Sequence, residues 1–339
     1  MSNSEAIIRT PNTEHRTPNT EHRTPNTEHR TPTHDSALKI LVCCHKPYTM
    51  PFQDDGILLP IQVGKDLTDL DLHIQGDNEL NGQPCDNISS KHDYYSELTG
   101  IYWAWKNLKK LYPDVKYVGW SHYRRYFAFD EQKYFFPFIY TLEKEINDYR
   151  VNAEKVINIL ESGRVIVQKR MIFPSTVEEQ FCGGHNSADY VILRETIREK
   201  FPDYFEDFMY VMRHNKISLC CMFVMKYEDF EKYCEWLFSV LAEVEPAMIR
   251  RYSHIPQNRI IVYLAERLID VYIRKNNLKT KQFNIYFYGD KEDTKNPLKK
   301  CLECIHRFLF VCKVNTAMFI LNLDLNPFRR LFRRHVKKY

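Results

Sequence analysis

The stretch Val115-Lys116-Tyr117-Val118-Gly119-Trp120-Ser121-His122-Tyr123-Arg124-Arg125-Tyr126-Phe127 changes character at its middle. Val115 to Trp120 is a short apolar run with β-branched and aromatic residues, the pattern of a strand buried on both faces. Directly behind it come a histidine, two arginines and two tyrosines. The same pattern occurs upstream, where Lys39-Ile40-Leu41-Val42-Cys43-Cys44 runs into His45-Lys46-Pro47-Tyr48. Arg164-Val165-Ile166-Val167 repeats it and ends at Gln168-Lys169-Arg170. Ile57 to Val63 and Leu219 to Met225 read as further strands.

Between these runs the apolar residues change to helical spacing. Asp93 is read as the N-cap of a helix over 94–110, with Leu98, Ile101, Trp105 and Leu108 on one face. Lys106, Lys109 and Lys110 crowd its last turn, where cations suit the helix dipole, and Pro113 ends it. Segments 187–199 and 202–213 read as helices separated by Pro202. Phe230 to Val244 is amphipathic, and Ile261, Leu264, Leu268 and Val271 mark one more helix. Residues 66–90 are polar and turn-rich and read as a loop. Alternating strands and helices predict an α/β fold with an open, mostly parallel sheet flanked by helices. In such sheets ligands bind beyond the carboxyl ends of the strands. The polar clusters after Cys44, Ser121 and Val167 fall there.

Composition narrows the classes. The 339 residues include only 10 glycines but 14% aromatics, which argues against a β-propeller, a collagen or a linker-rich chain. A formal net charge of +4 is too small to imply nucleic-acid binding. No apolar h-region opens the sequence, and no apolar run reaches the roughly 18 residues of a spanning helix. A cytoplasmic chain is expected, its 10 cysteines thiols. The pairs Cys43-Cys44 and Cys220-Cys221 read as core fillers.

The N-terminus carries the repeat RTPNTEH from Arg9, Arg16 and Arg23. Seven residues suggests a heptad, but no position is apolar and proline recurs in each copy, so a coiled coil is excluded. The expected organisation is a disordered tail over 1–36, a catalytic domain over 37–290 and a basic amphipathic segment over 291–339.

His122, Tyr123, Arg124 and Arg125 suit a nucleoside diphosphate: guanidinium forks match phosphate oxygens and a tyrosine can stack on a base. His45, Lys46 and Tyr48 occupy the equivalent place after the first strand. Asp86-Asn87-Ile88-Ser89-Ser90-Lys91-His92 leads into a helix N-terminus, which favours an anion and makes Lys91 a further candidate. For the general base that an acceptor hydroxyl requires, Glu97, Asp189 and Glu266 are the candidates. Glu97 is expected on the polar side of its helix, and Glu266 beside Arg267 within one. Asp69-Leu70-Asp71 lies in a polar loop rather than after a strand. Cys301-X-X-Cys304 lacks a second pair at zinc spacing, so no metal ligand is assigned.

Taken together, ILVCCHKPY (40–48), DNISSKHDYYSELTGIYWAWKN (86–107), YVGWSHYRRYF (117–127), CMFVMKYEDFEKYCEWLFSVL (221–241) and AERL (265–268) resemble the bacterial DUF4422 glycosyltransferases of capsule, exopolysaccharide and O-antigen clusters. The resemblance spans roughly residues 39–275. It implies a GT-A-like nucleotide-diphosphosugar fold and transfer of a hexose, with a galactose form among the candidates. It carries over His45, Lys46, Glu97, His122, Tyr123, Arg124 and Arg125. The family usually reads Asn in place of His92 and of Cys221. Its basic cluster stands where GT-A enzymes carry Asp-X-Asp.

The expected partners are a nucleotide-sugar donor, a growing glycan or lipid-linked oligosaccharide acceptor, and the anionic inner face of the plasma membrane, with no nucleic acid. No cofactor is expected; Mn²⁺ or Mg²⁺ is the alternative to a purely cationic site. The other readings are a non-catalytic nucleotide- or glycan-binding protein of the same fold, and a phosphate-ester enzyme using the same basic edge.

Overall fold

A computed structural model describes residues 37–51, 55–130 and 137–289. The expected N-terminal tail and C-terminal segment lie outside them.

The sheet contains β1 (Leu38–Cys44), β2 (Leu58–Gln62), β3 (Gln75–Gly76), β4 (Tyr117–His122), β5 (Arg125–Phe127), β6 (Phe138–Leu142), β7 (Arg164–Gln168), β8 (Phe223–Lys226), β9 (Lys279–Phe283) and β10 (Ile285–Gly289). Its main path runs β9-β7-β8-β4-β1-β2-β3. β1 lies between β2 and β4 and is parallel to both. The one reversal on this path is β8, antiparallel to β4 and β7. β5 turns back from β4, and β10 joins β5 to β6, which extends the sheet sideways.

Every residue of β1 is buried, as an apolar central strand requires. Leu41 and Cys43 enter one core with Val118 and Trp120, while Leu38, Ile40, Val42 and Cys44 enter another. This period-two split places a core on each face of the sheet. Lys39 is tolerated inside because its ammonium donates to the Gly56 carbonyl at 3.0 Å and lies 4.6 Å from the centre of the Tyr112 ring.

The larger core is roofed by α1 (Leu98–Leu111), α3 (Val177–Gly184), α4 (Ser187–Lys200), α5 (Pro202–Arg213), α6 (Tyr227–Tyr252), α7 (Ile260–Ala265) and α8 (Leu268–Lys275). The other face takes α2 (Ala153–Glu161), through Val156 and Leu160.

Three departures from the sequence reading bear on the site. The helix expected over 94–110 is broken: His92–Tyr95 form a single turn, Ser96 takes a φ of 49°, and α1 begins at Leu98. Glu97, not Asp93, is therefore the N-cap residue, and it is buried rather than on a polar face. The helix expected around 261–271 is two helices, α7 and α8, meeting at Glu266 and Arg267. The run Leu219–Met225 becomes strand only from Phe223; Cys220 and Cys221 are buried as expected but sit in a bend, with φ of 66° and 50°. The loop over 66–90 also contains β3 and a small hairpin, Glu79–Leu80 with Gln83–Pro84.

Candidate functional site

Three stretches of backbone converge where β1 and β4 end. β1 passes into His45–Tyr48. β4 ends at His122, which pairs with Arg125 across the turn into β5. The Tyr123 N–H donates to the Cys43 carbonyl at 3.0 Å, tying the two loops together. The third stretch is the Cys220-Cys221 bend ahead of β8.

That bend is left-handed, a conformation costing about 1–2 kcal/mol for a residue with a Cβ. It aims both backbone groups of Cys220. The carbonyl accepts from Nε2 of His122 at 2.9 Å, and the N–H donates to Oε1 of Glu266 at 3.1 Å. Since a carbonyl only accepts, Nε2 carries the proton, and Nδ1 of the neutral ring is an acceptor. Cys221, where the family resemblance places Asn, occupies a backbone region in which asparagine is enriched.

Glu266 is held at its other oxygen too, where Oε2 accepts from Arg267 at 2.9 Å. Arg267 is buried and also donates to the Tyr263 carbonyl at 2.7 Å and to Gln180 Oε1 at 2.8 Å. Burial raises the Glu266 carboxyl above its ordinary range; Arg267 opposes this and the nearby Glu97 carboxylate adds to it.

Glu97 and His122 form a tightly coupled pair. Burial drives the His122 imidazole down to about 4, against the pull of Glu97 and with the help of Arg125. Burial also works against a charge on Glu97, yet that carboxyl lies below its ordinary value through His122, its own backbone N–H and Arg259. Arg259, 3.6 Å from Glu97, adds a fixed positive charge beside this carboxylate.

Beside this cluster, the Tyr123 ring is surrounded. His45 stands edge-on at 5.3 Å and Tyr48 at 6.0 Å between ring centres. The Lys46 ammonium lies 5.7 Å from the Tyr123 centroid and the Arg124 guanidinium 5.4 Å. Burial lowers the His45 imidazole, with the positive surroundings of His92, Lys46 and Arg259 adding to it. The site thus sets basic side chains and aromatic rings next to two carboxylates of opposite tendency. It can hold an anion and accept a proton.

The model of a family described as a domain of unknown function, DUF4422, matches residues 39–277. The chain belongs to the DUF4422 family. No curated protein sequence matches it significantly. A solved structure titled as the apo form of the WbbM bifunctional glycosyltransferase is similar to it, at 27% identity and a TM-score of 0.65. That match covers 75% of this chain and 46% of the other, so this DUF4422 chain spans about half the length of that protein.

Of the residues singled out from sequence, this DUF4422 fold gathers His45, Lys46, Tyr48, Tyr123 and Arg124 around one ring, and Glu97, His122, Arg125 and Glu266 around the Cys220 bend. Lys91 and Asp189 are engaged elsewhere. Lys91 pairs with Glu245 of α6 at 2.8 Å. Asp189 is buried in the first turn of α4, where it accepts from the Tyr252 hydroxyl at 2.9 Å and burial raises its carboxyl. Sequence reading missed Arg259 and the backbone of Cys220. Both take left-handed conformations in connecting segments, which no periodicity reveals.

Among the described residues no group of three or more His, Cys, Asp or Glu is arranged to hold a metal ion. Asp77 is occupied by the N–H groups of Gly64 and Lys65 and the Ser89 hydroxyl. Asp71 accepts from the His73 N–H and lies 3.6 Å from Lys65.

Proposed function

We propose that this chain is a glycosyltransferase of GT-A-like architecture, moving a hexose from a nucleotide-sugar to a glycan or lipid-linked oligosaccharide. A galactose form is among the candidate sugars. The observation that carries this reading is the Cys220 bend, which fixes Glu266 and His122 beside the basic turn. The family and the likeness to a protein titled a bifunctional glycosyltransferase support it.

In this reading Arg124, Arg125 and Lys46 take the diphosphate, while Tyr123, flanked by His45 and Tyr48, takes the base. Glu266 accepts the proton of the acceptor hydroxyl as its oxygen attacks the anomeric carbon. The bond from that carbon to the diphosphate breaks, and the leaving group departs with the electron pair toward the arginines. Glu97 holds Arg259 and keeps the surroundings of His122 charged.

Incubation with UDP- and GDP-hexoses tests the reading through release of nucleoside diphosphate. Slow release without acceptor is expected. Saturable binding with no turnover identifies the non-catalytic alternative, and turnover of phosphate esters lacking a sugar identifies the phosphate-ester enzyme. Because fixed cations neutralise the leaving group in this scheme, activity is expected to survive EDTA. Complete loss on chelation, with rescue by Mn²⁺ or Mg²⁺, would replace the cationic scheme with a metal-dependent one.

A further inference from the structure

The three strands beside the site carry a row of side chains that starts at Arg125 and continues into rings the proposed chemistry does not use. β5, β10 and β6 lie side by side in register, with Arg125 paired to Phe287 and Phe287 paired to Tyr140. Directly paired residues on neighbouring strands share a face, so the three side chains form a line across the strands. The contacts agree. The Arg125 guanidinium lies 5.5 Å from the Phe287 ring centre, and the Phe287 and Tyr140 rings are 5.5 Å apart. Phe138 props Phe287 edge-on at 6.4 Å.

The row begins at the candidate site, where the charge of Arg125 acts on His122, Cys220 and Glu266. It ends at Tyr140, which at 59% exposure is the most exposed large hydrophobic side chain among the described residues. A single exposed ring is ordinary on a protein surface. Here the exposed ring stands at the end of a registered line that starts at the candidate site.

We propose that this row is the track for the acceptor glycan, whose sugars behind the reacting hydroxyl lie flat on Phe287 and Tyr140. The proposal rests on the transferase reading above. Its chemistry is that of a pyranose ring, one face of which presents several C–H bonds. Those slightly positive hydrogens suit the negative face of an aromatic ring, and the sugar hydroxyls stay in water at the edges. The row starts at Arg125, proposed to hold the donor diphosphate, whose charge also acts on Glu266, the proposed base. A chain bound along it therefore presents its growing end to Glu266.

The test uses the full chain with Tyr140→Ala and Tyr140→Trp, since so exposed a side chain can be replaced without disturbing the core. An immobilised panel of α- and β-linked glucan and galactan oligosaccharides measures glycan retention, and UDP titration reports the donor side. The original chain is expected to retain at least one oligosaccharide. Tyr140→Ala should weaken that retention roughly fivefold, the scale of one ring contact, and Tyr140→Trp should restore it, with UDP affinity unchanged in both. Equal retention by Tyr140→Ala, or no retention of any panel member by the original chain, overturns the proposal. Binding of neutral lipid vesicles instead of glycans, lost in the same variant, also overturns it. If nucleotide-sugars are not turned over but glycan retention still depends on Tyr140, the transferase reading fails and the track stands. Donor turnover with retention indifferent to Tyr140 leaves the reverse.

Discussion

Glu266 receives a donor at each oxygen and yet is raised by burial, so its carboxylate is fixed in place and more basic than an exposed one. A base works only when unprotonated. Activity is therefore expected to hold at neutral pH and to fall as the pH drops through an acid limb lying above the ordinary glutamate value of about 4.3. Glu266→Gln keeps the shape and removes the base; it should lose about 10²–10⁴ in kcat. A pH–rate profile in which the variant keeps both its rate and its acid limb would move the base to another residue. His122, driven down to about 4, stays neutral through that range and serves as a hydrogen-bonding group rather than a charge. In the proposed scheme the arginines act on the other half of the reaction. Arg124→Ala or Arg125→Ala should weaken UDP or GDP binding by roughly 1.5–3 kcal/mol, the scale of a charge-assisted hydrogen bond. Calorimetric titration giving unchanged affinity for both nucleotides in a folded variant would remove the basic turn from the donor site.

At the scale of elements, the site depends on how closely α1 sits on β4. A Cβ added at Gly100 would lie 2.5 Å from the Trp120 ring and 2.8 Å from Val63, so only glycine lets the helix approach. That approach brings Glu97, at the helix N-terminus, to His122, at the strand end. Gly100→Ala is expected to destabilise the fold by about 1–3 kcal/mol through overpacking, despite alanine's better helix propensity. Urea unfolding measures this; a more stable variant would show that the helix has room to move. The same elements show what was legible in the sequence. β1, β4 and β7 were readable because strands buried on both faces are continuous apolar runs, and their polar continuations marked the ligand edge. The reversal of β8 was not readable, since a short apolar run has the same composition in either direction. β5, β6, β9 and β10 carry no such signal: Lys279–Phe283 is largely polar, and the hairpin behind His122 looks like a basic loop. The breaks at Ser96 and at Glu266–Arg267 were hidden because an apolar stripe continues across them, and these breaks are what turn Glu97 and Glu266 inward. Residue type alone makes Glu266 a candidate, while the geometry that would make it a base comes from the junction of two helices.

At the scale of the whole molecule, the site draws on residues from His45 to Arg267, and no helix among the described residues is long and apolar enough to cross a membrane. For the lipid-linked acceptor proposed above, the C-terminal sequence is the part of the chain whose composition suits a bilayer surface. Residues 302–322 carry Leu302, Ile305, Phe308, Leu309, Val311, Cys312, Ala317, Phe319 and Ile320, interrupted by Arg307 and Lys313. That composition suits an interface or a core-facing segment better than a span. After Pro327 come Arg329, Arg330, Arg333, Arg334, Lys337 and Lys338 beside Phe328, Leu331 and Phe332, with no acidic residue among them. Each such cation contributes about 1 kcal/mol near an anionic lipid surface, and the three large apolar groups can enter the headgroup boundary. The full chain is therefore expected to sediment with anionic liposomes at physiological salt, less so as salt rises, while a chain lacking residues 326–339 remains in the supernatant. Nucleotide binding should be the same in both, because the proposed donor site lies in the sheet and not in the tail. Equal sedimentation of the two forms would leave the basic end as a solvated tail that aids solubility, and would place any membrane contact of this chain elsewhere.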